Sequence, residues 1–388
     1  MKDSSVLEAG FRPFFLLGAL WAAAVIALWV AVFSGQIAFA LPGDPVAWHR
    51  HEMLYGFVGA IVAGFLLTAV PNWTGGAFLA GPRLAGMVLL WLLARGLGLV
   101  EGAVPGSAAA ACEGALFLIL AGWALQRIRA AGSRNMPIAL LIAVFGLSGA
   151  VSRLAGANAA PEIADIAWRL GVTVVVLLLS LIGGRIVPAF TRNWLVQRAG
   201  AESGGLPVMF NRYDGATVLA TLIGLAVWSI LPDATIAGGL LLLAGLLHLG
   251  RLLRWSGWRT GKEPLVLVLH LSYLWMPAGL LLLAASILSP SVTASAALHA
   301  LTAGAMGTMT LAVMTRASLG HTGRPLTAGP RELAIYALVH AGALTRVAAS
   351  LEPAWYGDLL NLSGALWAGA FLLFALSYAP LLLRPARG

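Results

Sequence analysis

One cysteine, Cys112, stands in 388 residues, which excludes an internal disulfide, a CxxC metal clasp and the CxxCH attachment of a covalently held haem. Any metal must then rely on histidine, and any haem must be held without a thioether. Charge is nearly as scarce, with 10% of residues charged against 60% hydrophobic and a mean hydropathy of +0.89. A soluble core of that size could not hide so much apolar surface from water, so the solvent must be a bilayer. Long polar linkers are missing too. The largest loop, Arg192 to Arg212, is too short to be a domain, and residues 1–388 are expected to form a single transmembrane domain. The first apolar run, Pro13 to Phe33, is too long for a signal-peptide core and has no clear small-residue cleavage site after it. It is expected to stay as an anchor helix.

What is present is a series of apolar runs. A bilayer core needs about 20 apolar residues per helix, and on that criterion candidate spans begin near residues 13, 49, 83, 106, 136, 166, 213, 234, 264, 292, 331 and 356. The expected fold is all-α, a polytopic bundle of about 12 transmembrane helices. The formal charge of +9 does not point to nucleic acid, because the basic residues are dispersed among short loops. An even number of spans puts both termini on one side, and most Lys and Arg fall there, among them Lys2, Arg12, Arg83, Arg127, Arg129, Arg134, Arg251, Arg254 and Arg387. The other side has Arg50, Arg95, Arg153, Arg169 and Arg346. By the positive-inside rule the termini are cytoplasmic.

An internal echo recurs every four spans. The second span ends in Thr68-Ala69-Val70-Pro71-Asn72-Trp73, the sixth in Ile186-Val187-Pro188 through Asn193-Trp194, and the tenth in Val313-Met314-Thr315-Arg316. Convergent helix-exit chemistry explains this, and so do three copies of a four-helix unit. Three arcs of four helices also describe haem-copper oxidase cores, an analogy of fold with little functional weight.

Ionisable residues inside a membrane are costly, so each is a functional candidate. His49 and His51 open the second span at the outer face, and His299 lies at the same level in the tenth. His248, His270 and His340 fall in the inner halves of their spans, while His321 is expected in the loop after the tenth; these could form or flank a second, inner site. Successive helical residues rotate by about 100°, so His49 and His51 point to nearly opposite faces and one metal is not expected to take both. At that rotation the His49 face continues through Gly56, Ala60 and Ala63 or Gly64, and the His299 face through Ala303 and Gly307. Small residues there would leave room for a porphyrin; ordinary helix packing uses them as well. A histidine hydrogen-bonded across helices is the plain alternative to a ligand.

Arg95, Arg153, Arg169 and Arg346 lie where the propionates of an outer haem would be, although interfacial snorkelling explains any one of them. Trp48 and Trp168 read as aromatic-belt residues. Glu52 and Glu113 are the candidate proton carriers if a substrate is reduced, with pairing to Arg95 the alternative for Glu113. Met306, Met309 and Met314 could offer thioethers to Cu(I), but helix packing accounts for them better.

Several stretches together resemble the NnrS family: Phe11-Arg12-Pro13-Phe14-Phe15; Trp48-His49-Arg50-His51-Glu52-Met53 leading to Ala63-Gly64-Phe65 and Val70-Pro71-Asn72-Trp73-Thr74-Gly75; Leu269-His270-Leu271-Ser272-Tyr273; and His299-Ala300-Leu301-Thr302-Ala303-Gly304, running on to Gly320-His321-Thr322-Gly323-Arg324. The resemblance implies a protein of the bacterial cytoplasmic membrane that carries haem (b-type, given the single cysteine) and copper and is linked to nitric oxide metabolism or resistance. It carries over His49, His51, His270, His299 and His321 as the histidines in family motifs; His248 and His340 match none. The leading expectation is that the protein binds nitric oxide and reduces it, drawing electrons from quinol or a membrane partner. A non-catalytic protein that binds nitric oxide or protects metal centres is the second reading. A secondary transporter is the third. On the leading reading His299 and one of His49 or His51 bind the outer haem, Arg95 and Arg169 support its propionates, and Glu52 and Glu113 relay protons.

Overall fold

The computed structural model of the chain describes residues 5–100, 105–199 and 205–384. Lys2 and Arg387, two of the charges used to assign topology, lie outside them. Among the described residues there is no β-strand, and twelve helices are long and apolar enough to cross a membrane. They are α1 (Phe11–Phe33), α2 (Pro45–Thr74), α3 (Gly81–Leu99), α4 (Gly106–Ala130), α5 (Met136–Ala157), α6 (Pro161–Arg198), α7 (Arg212–Ile230), α8 (Thr235–Leu253), α9 (Pro264–Leu288), α10 (Ala294–His321), α11 (Pro330–Leu351) and α12 (Pro353–Leu383). The chain is an all-α, multi-pass membrane protein.

Helix starts follow local chemistry. At α2, Asp44 accepts a hydrogen bond from the Ala47 N–H at 2.6 Å and Pro45 takes the first helical position, where its missing N–H costs nothing. The largest departure from the hydropathy reading is at α6, which starts at Pro161 rather than near residue 166. Glu162 and Asp165 lower the hydropathy of that turn, yet an acidic first turn suits the helix dipole.

The contacts divide the chain into two compact units, one of Met1–Val174, Ala317–Arg324 and Phe371–Gly388, the other of Val175–Arg316 and Pro325–Ala370. Within the first, Arg12 is buried and donates from Nη1 to the carbonyls of Leu382, at 3.1 Å, and Arg384. A residue counted by sequence as a loop charge is therefore an interior cap on the last turn of α12. Within the second, Arg251 is 0% exposed and likewise does not belong to the loop charges.

The sixth span runs beyond Trp194. Its helix continues past Pro188 to Arg198, so Arg192 and Arg198 are helical rather than part of the loop assigned to them. Proline interrupts a helix because it lacks an N–H and crowds the carbonyl four residues back. Here that residue is Gly184, and a π-helical stretch, Leu179–Gly183, ends immediately before it, so the winding is already relaxed where the ring must fit.

Two further π-helical stretches occur, Glu52–Val58 in α2 and Ala300–Met306 in α10. All three therefore lie in helices four spans apart, the spacing of the sequence echo. They are not in register with it, since Val58 precedes Pro71 by 13 residues and Gly183 precedes Pro188 by 5. A π turn upsets the i to i−4 ladder and leaves carbonyls needing partners, which water cannot supply inside a bilayer. In each stretch one carbonyl accepts from a side chain of another helix, in two of them beside a backbone N–H: Trp91 Nε1 donates to Gly56 O at 3.0 Å, Arg251 Nη1 to Ser180 O at 2.7 Å, and Trp367 Nε1 to Ala303 O at 3.2 Å.

Candidate functional site

In the first unit, the π stretch of α2 begins with Glu52, and this carboxylate anchors a buried charge cluster. Its Oε2 accepts from Arg95 Nη1 at 2.6 Å and Trp21 Nε1 at 3.1 Å, while Oε1 accepts from Arg153 Nη2 at 3.0 Å. Arg95 turns its other amino group, Nη2, onto Glu113 Oε2, which also accepts from His51 Nε2 at 3.1 Å. Both carboxylates are 1% exposed. Two guanidiniums against two carboxylates make the set formally neutral, and the attraction in a low dielectric offsets a desolvation that no single member could bear. Side-chain space comes from glycine. A Cβ on Gly56 would approach Trp21 Nε1 to 2.7 Å, with Arg95 Nη1 and Glu52 Oε2 each at 2.9 Å. Gly56→Ala is expected to destabilise the protein by about 1–3 kcal/mol through overpacking, read as a lower melting temperature in detergent.

The cluster brings together His51, Glu52, Arg95, Glu113 and Arg153, all of them sequence candidates. It also shows what Arg95 does in this structure: both amino groups are on carboxylates. His51 and His49 diverge, as the rotation requires. His51 lies against Tyr55 at a ring separation of 4.8 Å, whereas His49 stacks on Trp29 at 4.2 Å. Arg50 pairs with Asp165 at 2.6 Å and lies over Trp168, whose Nε1 donates to Arg50 O. Arg169 is half-buried nearby in sequence.

His321 is the last residue of α10, not part of the following loop, and its ring rests near Phe11 at 5.4 Å and Phe78 at 6.2 Å. Phe11 and Trp29 are 18 residues apart on α1, or roughly 27 Å at 1.5 Å per residue. One ion therefore cannot bind His321 and His49 together.

In the second unit, His299 stands directly before the π stretch of α10. Its Nδ1 lies 2.7 Å from the Ser295 carbonyl, which can only accept, so Nδ1 carries the hydrogen, and in a neutral ring the lone pair is on Nε2. That is the tautomer of a metal-binding histidine held by a backbone carbonyl. The Ser295 hydroxyl is 3.0 Å from Ser350 Oγ, which accepts from Arg346 Nη1 at 2.7 Å. Arg346 is 8% exposed, and its bonds are to hydroxyls. The small-residue stripe beyond His299 is not open space. The π stretch breaks the 100° rotation used to draw it, and Trp367 covers Gly307, where a Cβ would meet the indole at 2.9 Å. Gly56 and Gly64 on the α2 stripe are likewise covered, by the charge cluster and by Phe14 and Phe15.

His340, His270 and His248 enter three separate hydrogen-bond sets. His340 Nδ1 accepts from Trp275 Nε1 at 3.1 Å; indole only donates, so Nε2 holds the hydrogen of a neutral ring and cannot be a ligand while this bond stands. His270 Nε2 is 2.7 Å from Thr191 Oγ1. His248 belongs to a chain that sequence reading missed. Arg251 Nε donates to Asp214 at 2.6 Å and its Nη1 to Tyr273 Oη at 2.9 Å; the Tyr273 hydroxyl lies 2.9 Å from His248 Nδ1, and His248 Nε2 lies 2.9 Å from Thr221 Oγ1. The donors run one way, because Arg251 only donates and Thr221 gives its hydrogen to Thr217 O. The available signal was Arg251 itself, three residues after His248 in an apolar run.

Among the described residues, no three His, Cys, Asp or Glu side chains converge in a group able to hold a metal ion. Twelve long apolar helices define a polytopic membrane protein, and buried ion pairs and a carbonyl-oriented histidine give it polar centres within the protein interior. The family model of NnrS proteins matches residues 5–386. The chain belongs to the NnrS family. No curated protein matches it.

Proposed function

We propose that this chain is a haem-containing protein of the bacterial inner membrane, with cytoplasmic termini, that binds nitric oxide and reduces it. Membership of the NnrS family fits a membrane protein related to nitric oxide. The observation that carries the haem reading is the His299 tautomer, with Nδ1–H on a backbone carbonyl and the lone pair on Nε2. Arg346, buried among hydroxyls and linked to His299 through Ser295, suits an anionic group such as a propionate better than Arg95, which already holds two carboxylates. Bound at His299, haem would supply a redox-active iron for a diatomic ligand. The chain contributes a dry setting, since Ala300, Leu301, Gly304, Ala305 and Met306 beside the histidine are all buried. The overall reaction would join two nitric oxide molecules with two electrons and two protons to give nitrous oxide and water. Its electrons would come from quinol or a membrane donor. No described group of three His, Cys, Asp or Glu side chains could close a copper site, so the reading rests on haem. The orientation is supported by burial: with Arg95, Arg153 and Arg346 interior, Arg50 and Arg169 alone remain of the basic residues assigned to the outer side.

Protein purified after growth with ample haem should show a Soret band. His299→Ala should lose most of it, while His340→Ala, whose ring is held in the other tautomer, should keep it. Full haem content in His299→Ala would overturn the assignment. Nitrous oxide yield from nitric oxide and a quinol separates reduction from binding: haem-loaded protein giving none with any donor would support the non-catalytic reading. A purified protein with no Soret band would favour transport.

A further inference from the structure

The first unit has a cleft of about 680 Å³ between the chain entering α3 and the last turns of α4, lined by Phe78, Ala80, Arg83, Trp123, Gln126 and Arg127 among others. None of these residues takes part in the charge cluster or lies in the second unit. Two guanidiniums face one hollow with no carboxylate in its lining. Arg127 is laid over the Trp123 ring at 5.3 Å, and its head reaches the position a Cβ on Gly76 would need, so Gly76 keeps that place open for it. The rest of the lining is mostly apolar, and Phe78 is 39% exposed.

We propose that this cleft binds the phosphodiester headgroup of an anionic phospholipid, with Arg83 and Arg127 on the phosphate and the Phe78 and Trp123 side of the cleft against the glycerol and first acyl carbons. Arginine forks match phosphate oxygens, and aromatic residues favour the level where headgroup meets hydrocarbon. A free phosphate ion would use the arginines but not the apolar wall. The cleft also lies at the start of α3 and the end of α4, beside Arg83, Arg127 and Arg129 and the turn that carries Arg134. Basic pockets between transmembrane helices on that side are suited to acidic headgroups.

The test uses the full chain in detergent, titrated with phosphatidylglycerol, phosphatidylcholine or inorganic phosphate, and reads retained lipid by native mass spectrometry and melting temperature. Phosphatidylglycerol should be retained in preference to phosphatidylcholine and should raise the melting temperature. Arg83→Gln combined with Arg127→Gln should weaken that binding roughly ten- to thirty-fold. Arg129→Gln combined with Arg134→Gln removes the same charge from exposed positions outside the cleft and should leave binding within about two-fold of the parent, as expected if contact geometry rather than net charge carries affinity. Equal retention of the two lipids, equal weakening in both double variants, or an equal thermal shift from inorganic phosphate would each overturn the proposal.

Discussion

Replacing Glu52 by Gln should cost the folded protein about 3–5 kcal/mol, because it strips a charge from two buried guanidiniums at once. Arg153 would lose its pairing with Glu52 and Arg95 would keep only Glu113. A thermal melt in detergent reads the loss. Adding Arg153→Met to Glu52→Gln restores the balance of charge and should recover part of the stability, so the double variant should melt above the single one. A Glu52→Gln protein as stable as the parent would mean that the cluster is not held by charge. The same comparison bears on proton delivery. Slow nitric oxide turnover in Glu52→Gln implicates a relay only if the rebalanced double variant is slow as well.

Asp214→Asn should be nearly as damaging, again by about 3–5 kcal/mol. Arg251 is 0% exposed, and after this change its remaining partners, Ser180 and Tyr273, are neutral. Asn has one acceptor oxygen where Asp214 uses two, Oδ2 for the Asn211 N–H at 2.9 Å and Oδ1 for Arg251 Nε, so with the cap kept the amide nitrogen faces Arg251 and the loss combines the charge with that hydrogen bond. Arg254 also approaches Asp214, at 3.6 Å, but its side chain is 25% exposed. Arg254→Gln should therefore cost only about 0–1 kcal/mol. Similar melting temperatures for Asp214→Asn and Arg254→Gln would refute this ranking.

Helix positions were readable from hydropathy because a bilayer imposes length and apolarity on each span, and every observed start lies within five residues of its expected place. Contacts between helices were not readable. Arg12 and Arg251 look like loop charges in a window of neighbours, since the groups that accept from them are about 370 and 37 positions away. Glu113 shows the intermediate case. Its pairing with Arg95 was one of two readings, and only the packing of α3 on α4 makes it definite. The small-residue stripes fail for another reason. They were drawn with a constant rotation per residue, and the winding changes within Glu52–Val58 and Ala300–Met306. Nothing in the composition of those stretches distinguishes π from α, and the side chains that meet their carbonyls, Trp91 and Trp367, arrive from elsewhere in the sequence.

The change of winding sets the histidines beside a feature of a particular kind. A π turn is one surplus residue stored in a helix, and the surplus can pass along the chain like a ruck in a carpet, one hydrogen bond at a time. Each step advances the backbone it crosses by about 1.5 Å and turns it by roughly 100°, leaving the helix on either side undisturbed. His51 and His299 are each the residue immediately ahead of such a surplus. Movement of the ruck by one place would re-aim either imidazole without tilting a span, and Trp91 and Trp367 are the pegs that hold it where it is.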